Sequence, residues 1–347
     1  VVVAGLLCVP WGARAQSFTA SFADVLTLYD VGEYEVVARG LRASIAGDPD
    51  RTIKLLTREA EAWIALTGPS EAPRRRLVAA TFALELGLAG VDTQWEFTKQ
   101  AVEWACGVLR RAGKPTEVER QWHLAALALL EATFQPTSLT VQAPEAGSLS
   151  PHIRHVTDRF PGEPRLALAR ALPDEHEYWK QRIAIVNGIP VVNEKVASVA
   201  IPALERAAKH PDTRAEARLR LGHLEYRRGN LAQALAHLAA AAEGDDDPTR
   251  TYLAHLFAGW VHEKAGRPND AIESFRQSLA AVNGLSAALG LGVRLYEQDN
   301  REEADALVKA ALEPATAVPD PWKVYAYGDF RRFPYLLARL RARLQSQ

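Results

Sequence analysis

The feature that most limits what this chain can fold into is a set of small residues recurring at a fixed spacing. Gly222, Gly229, Ala234, Leu238 and Ala241 are matched 37 positions later (259 − 222) by Gly259, Gly266, Ala271, Phe275 and Ser278. A third set follows 33 positions on: Gly292, Asp299, Ala304, Val308 and Ala311. A period of this length marks a chain built from stacked copies of one supersecondary unit, each unable to bury its apolar face alone. The longer first period is absorbed by the polar loop Glu243-Gly-Asp-Asp-Asp-Pro-Thr249, where extra residues cost little closure entropy.

Within each copy the apolar residues fall three and four apart, the spacing of an amphipathic helix. The first helix of the first copy carries Ala217, Leu221 and Leu224 and ends near Gly229. It is expected to open at a capping box, Thr213-x-x-Glu216, in which each side chain bonds the other's backbone N–H. The second helix opens at Asn230 and carries Ala234, Leu235, Leu238 and Ala241. The small residues let paired helices approach, and Leu238, Phe275 and Val308 are expected to fill the seam between units.

These residues resemble the tetratricopeptide repeat, or TPR. The family's Leu-Gly of helix A is matched by Leu221-Gly222 and Leu291-Gly292, its turn glycine by Gly229 and Gly266, and its helix-B alanine by Ala234, Ala271 and Ala304. The large apolar residue that follows is Leu238, Phe275 or Val308. The chain departs from the pattern at Asp299, where the turn glycine is usual, and lacks an aromatic early in helix A. The resemblance covers residues 213–312. It implies an all-α solenoid of helical hairpins, wound as a right-handed superhelix and closed by a C-terminal capping segment.

Composition agrees with an all-α chain. Apolar residues make up 48% of 347, enough for a continuous core, and alternating apolar strands are nearly absent. The 41 basic and 42 acidic residues balance, so neither nucleic acid nor an anionic membrane is indicated as a general partner. Cys8 and Cys106 are the two cysteines.

Residues 1–15 form an apolar run ending in Ala13-Arg-Ala15, the pattern of a secretory signal cut after Ala15. The layout then reads as a degenerate helical-repeat region over 16–134, a linker over 135–150, the repeat array over 151–312, and an aromatic and basic cap over 313–347. At Val186-Asn-Gly188 two readings compete. One is a β-hairpin turn. The preferred one is a helix C-cap leading into a linker, because Pro190 argues against a paired strand. The last helix, with Leu336, Leu337, Leu340 and Leu344 beside Arg339, Arg341 and Arg343, reads as the cap, with a membrane-surface role as its alternative.

Candidate chemistry is sparse. His152 and His155 lie one helical turn apart without an evident third ligand. Asp174-Glu-His-Glu177 is a charged helical turn without a nucleophile. Asp245-Asp-Asp247 lacks the spacing of a calcium loop and reads as a solvated turn. Cys106 reads as a buried, inert thiol, and Arg74-Arg-Arg76 as a solvated helix face. No metal or cofactor is expected.

Where the TPR resemblance holds, helix A lines the concave groove, which implies a protein- or peptide-binding stripe. On this chain it runs through Glu216, Leu219, His223, Tyr226 and Arg227, then Leu253, Leu256, Trp260, Glu263 and Lys264, then Ser286, Leu289, Val293, Tyr296 and Glu297. Leu219, Leu256 and Leu289 are expected to pack between helices. Tyr226, Trp260 and Tyr296 are expected to form an aromatic ladder, with Trp260 free of the core. The family's chaperone-tail clamp, a Lys and an Asn, is replaced by Leu219 and His223, so that ligand is not expected. The leading function is a non-enzymatic interaction scaffold exported to the periplasm or cell surface of a bacterium. The alternative is a self-assembling or envelope-complex subunit, with a divergent enzyme third.

Overall fold

The computed structural model describes residues 22–37, 49–90, 95–111, 114–132, 150–180, 184–186, 189–191, 194–312, 320–326 and 332–346. The proposed signal segment 1–15, with Cys8, lies outside them, as does the proposed linker 135–150 except for Ser150, which opens a helix. Sixteen helices are bounded among the described residues. They group into two compact units, one from the described residues up to 132 together with 332–346, the other from 150 to 326. No described helix is long and apolar enough to cross a membrane.

The first unit contains α1 (Phe22–Asp30), α2 (Pro49–Ala65), α3 (Ala72–Gly90), α4 (Trp95–Arg110), α5 (Glu117–Ala132) and α16 (Arg332–Gln345). α3 is buried throughout Leu77–Gly87 and α5 almost throughout Gln121–Glu131, so they form its centre, with Phe82, Leu86, Trp122 and Leu129 fully buried. α16 packs Leu337, Leu340 and Leu344 into this unit, against α5 and α3. The apolar face that a membrane role would need is therefore spent on the core. Arg341 of α16 donates to the buried Glu85 carboxylate (Nε–Oε1 2.7 Å), which also accepts from the Tyr29 hydroxyl at 3.0 Å. Burial raises both the Glu85 carboxyl and the Tyr29 phenol above their usual ranges, against the pull of Arg341.

The arginine run is not a solvated face. Arg74 pairs with Asp30, Arg75 lies over the Trp63 ring at 4.4 Å, and Arg76 donates to the Arg111 carbonyl. Each cation joins its helix to a neighbour. Cys106 is buried, and burial pushes its thiol up, which keeps it protonated.

The second unit begins with α6 (Ser150–Arg159) and continues as paired helices: α7 (Pro164–Lys180) with α8 (Glu194–Ala207), α9 (Pro211–Arg228) with α10 (Leu231–Ala242), α11 (Pro248–Lys264) with α12 (Pro268–Ala281), and α13 (Leu285–Glu297) with α14 (Arg301–Leu312). The first helices of successive pairs touch in series, α7 to α9 to α11 to α13. This is an all-α helical-repeat array, and it has one more pair than the three strong sequence repeats.

Three pairs share one internal geometry. A Cβ built on Gly222 would lie 2.6 Å from Leu238 Cγ, one on Gly259 would fall on the Phe275 ring, and one on Gly292 would lie 3.0 Å from Val308 Cγ2. The same 16-residue offset (238 − 222, 275 − 259, 308 − 292) therefore presses a helix-B side chain onto a helix-A glycine each time. The seam these residues fill is the one inside each hairpin, not the one between units. Phe275 does both, because it also meets Gly290 of the next pair.

The three helix-A stops are also alike. Gly229, Gly266 and Asp299 all take positive φ (87°, 67° and 66°). After each, a backbone N–H reaches back five residues: Asn230 to the Glu225 carbonyl, Arg267 to His262, Asn300 to Leu295. This is the Schellman closure, which satisfies carbonyls left open at a helix end.

Three local expectations are corrected. α9 starts at Pro211, two residues before Thr213, because proline is pre-set for the first turn. The Thr213 hydroxyl instead donates to the Ala207 carbonyl and Glu216 enters ion pairs, so no capping box forms there. Residues Ala184–Val186 (β1) and Ile189–Val191 (β2) pair as an antiparallel hairpin, with Ile185 opposite Pro190. Every second N–H of a two-stranded ribbon points away from the partner, so a residue without one is accommodated. Asp245 and Asp247 are not merely solvated: Arg250 donates to both Asp245 oxygens at 2.6 Å, and Asp247 accepts from the Thr249 N–H at 2.9 Å to cap α11.

The 313–347 segment divides. Pro321–Ala326 (α15) packs in the second unit against α11, while α16 belongs to the first.

Candidate functional site

The helical repeat places Glu216, Arg220, His223 and Arg227 along one face of α9, three and four residues apart. On α11 the same face carries Leu253, Phe257, Trp260 and Lys264, and on α13 it carries Leu289, Val293 and Tyr296. These are the helices that touch in series.

The first part of the predicted stripe is closed. Glu216 and His223 are buried. The Glu216 carboxylate pairs with both Arg165 of α7 and Arg220, and Arg220 also pairs with Glu175 of α7 at 2.9 Å. Two arginines and two glutamates thus neutralise each other out of water. Burial opposes the Arg220 charge, but the Glu175 and Glu216 carboxylates outweigh it and hold the guanidinium above its ordinary value. The Tyr325 hydroxyl of α15 donates to Glu175 at 2.9 Å, and Arg220 lies over the Tyr325 ring at 4.9 Å. Burial and then the Glu175 charge raise the Tyr325 phenol. Burial, with Arg227 and Arg220 nearby, holds the His223 imidazole well below its usual range, hence neutral.

Above this charged floor sits an aromatic cluster. Trp322 of α15 meets Phe257 (5.5 Å between centroids), Trp260 (5.1 Å) and His223 (5.6 Å), largely edge to face. Tyr325 meets Phe257 at 5.1 Å, and Tyr226 reaches Trp260 at 6.4 Å. Trp260 is therefore half-buried and engaged by the chain's own tail segment, where the sequence reading left it free. Lys264 stands over the Tyr226 ring at 5.2 Å, and Glu263 pairs with Arg294 of α13 at 3.1 Å. Burial raises the Glu263 carboxyl. Arg227 is half-buried, and Glu297 pairs with Arg294 at 2.8 Å.

The far part of the face is open. At one repeat position Leu219 and Leu256 are 1% and 0% exposed, while Leu289 is 46% exposed. The expectation that all three pack between helices fails at Leu289, because among the described residues no further first helix follows α13 to cover it. Val293 (49%) and Tyr296 (54%) continue the same open stripe. Tyr296 lies under the Arg301 guanidinium at 5.0 Å, so the described ring cluster ends before the ladder's third rung.

Asp320 joins the two parts. It is buried, accepts from the Trp322 N–H (2.9 Å) and the Ser286 N–H (2.5 Å), and shares a hydrogen bond with the Tyr252 hydroxyl. One carboxylate thus caps both α15 and α13.

Sequence reasoning missed Arg165, Glu175, Arg220, Asp320 and Tyr325. The four-residue step from Glu216 to Arg220 was a visible signal for an ion pair on one helix face. In the sequence Glu175 reads only as part of a charged turn. Its burial, and the return of Tyr325 from 150 residues away, carry no local mark. His152 and His155 are both buried on α6. The arrangement is built to hold aromatic rings, a phenol hydroxyl and an apolar face against one another. No protein-family model matches the chain, and no curated protein matches it by sequence.

Proposed function

We propose that the protein is a non-enzymatic tetratricopeptide-repeat scaffold, exported to the periplasm or cell surface, that binds a partner protein along the helix-A face. The repeated glycine contacts and the three identical helix stops support the family reading. The observation that carries the binding reading is the open stripe Leu289, Val293 and Tyr296, bordered by half-buried Trp260. Tyr296 and the neighbouring Trp260 are residue types enriched at protein-binding hot spots, and exposed Leu289 and Val293 extend them into an apolar patch. The test is affinity capture from envelope extracts with the unaltered chain and with Leu289→Asp/Val293→Asp. Both positions are exposed, so the fold should survive while captured protein is lost. Unchanged capture would remove the stripe from the site. The export reading is tested by mass spectrometry, which should find a mature chain beginning at Gln16.

A second reading, an envelope-complex or self-assembling subunit, has one observation in its favour. Leu289 occupies the position that the next repeat covers in the earlier pairs, so the last described pair presents a face that another helical pair would cover. Light scattering separates the two: a concentration-dependent mass abolished by Leu289→Asp supports assembly, and a monomer supports the scaffold.

A further inference from the structure

Resting on the scaffold reading, we propose that Asp320–Tyr325 is a tethered occupant of the binding face, and that the partner displaces it with a segment of the same chemistry. That chemistry is an aspartate at a helix N-cap, a tryptophan two residues on, and a tyrosine three residues further.

The reasons lie in how α15 is held. A six-residue helix cannot persist alone, since isolated helices shorter than roughly 12 residues are marginal in water. Its shape comes from three anchors on the array. Asp320 supplies the carboxylate for the Ser286 N–H, Trp322 supplies the edge for Phe257 and Trp260, and Tyr325 supplies the hydroxyl for Glu175. Each anchor completes a group on the face that would otherwise lack that contact. The face thus defines its ligand through the segment seated on it.

The segment is also shorter than the face. Equivalent repeat positions pass from covered at His223, through half-covered at Trp260, to open at Val293. The segment runs from Asp320 at α13 to Tyr325 at α7 and α9, so a partner presenting Asp-x-Trp-x-x-Tyr preceded by apolar residues would satisfy the same three anchors and bury Leu289, Val293 and Tyr296 as well. That added burial is the differential contact an exchange requires. The tether gives the chain's own segment an effective concentration in the millimolar range, so it excludes weak ligands and yields to a longer one.

The test uses the full chain and a labelled peptide with the sequence of residues 319–327. Fluorescence anisotropy should show the peptide binding Trp322→Ala/Tyr325→Ala about tenfold or more tighter than the unaltered chain, which its own segment blocks. Adding Trp260→Ala should weaken the peptide by about thirtyfold. Equal binding to both chains, or no binding to a folded double variant, overturns the proposal. Loss of helical circular dichroism in the double variant also overturns it, since α15 would then be core. A second measurement needs no mutation. Amide hydrogen exchange of 322–326 in the unaltered chain should run well ahead of exchange in α11. Exchange of both only through global unfolding means a permanent cap and sinks the idea. The scaffold reading fails separately: a chain that loses captured partner on Leu289→Asp/Val293→Asp yet ignores the peptide keeps the scaffold and loses the exchange.

Discussion

Asp299 sits where two other repeats place glycine, and its φ of 66° is the same left-handed turn. Left-handed backbone costs an L-residue roughly 1–2 kcal/mol, least for Asp and Asn. Glycine removes that strain but restores freedom to the unfolded chain, costing back roughly 0.5–1 kcal/mol. We expect Asp299→Gly to stabilise by about 0.5 kcal/mol and Asp299→Val to destabilise by more than about 1 kcal/mol. Denaturant midpoints measure both; a stabilising valine would show that the turn relaxes. Gly259 is the opposite case. It is helical, with no special φ, and is needed for space, because a Cβ would fall on the Phe275 ring. Gly259→Ala should therefore cost about 1–3 kcal/mol by overpacking, despite alanine's better helix propensity.

At the scale of elements, α12 shows how one helix serves two seams. Ala271 and Phe275 are fully buried on it, and Phe275 touches glycines of both its own hairpin and the next. Phe275→Ala should cost about 3–5 kcal/mol, and Ala271→Asp should cost several kcal/mol for a buried unpaired charge. If a single cooperative thermal transition persists while its midpoint drops, loss spreads through neighbouring pairs. A variant melting like the parent would contradict the packing described. The hairpin at Ala184–Val191 teaches a smaller point. Pro190 was a sound reason to doubt a central strand and a poor one in a two-stranded ribbon, where each strand is an edge.

For the array as a whole, histidines lowered by burial are expected to shape the response to acid. His223 is held neutral chiefly by burial, and burial also lowers His237, His255 and His262. In the unfolded chain such groups bind a proton near pH 6.5. Below that pH the unfolded state therefore holds more protons than the folded one, so stability is lost as pH falls through this window. Glu263, raised by burial, leans the other way. We expect the melting midpoint to drop between about pH 7.5 and about pH 5. His223→Gln should reduce the drop, and an equal drop in that variant would assign it to other groups.

Much of the architecture was legible in the chain itself. Helix periodicity, turn glycines and the recurrence of small residues are local properties, because a repeat contacts mainly its neighbours. They placed the helical pairs of 213–312 and the face that strings Leu219, Trp260 and Tyr296 together. Three things were decided only by tertiary structure. The last helix joined the first unit, the Asp320–Tyr325 segment settled on the helix-A face, and Glu175 met Arg220 and Tyr325. Each depends on contacts between residues far apart in sequence, whose pairing is set by burial and charge neutralisation rather than by any local pattern.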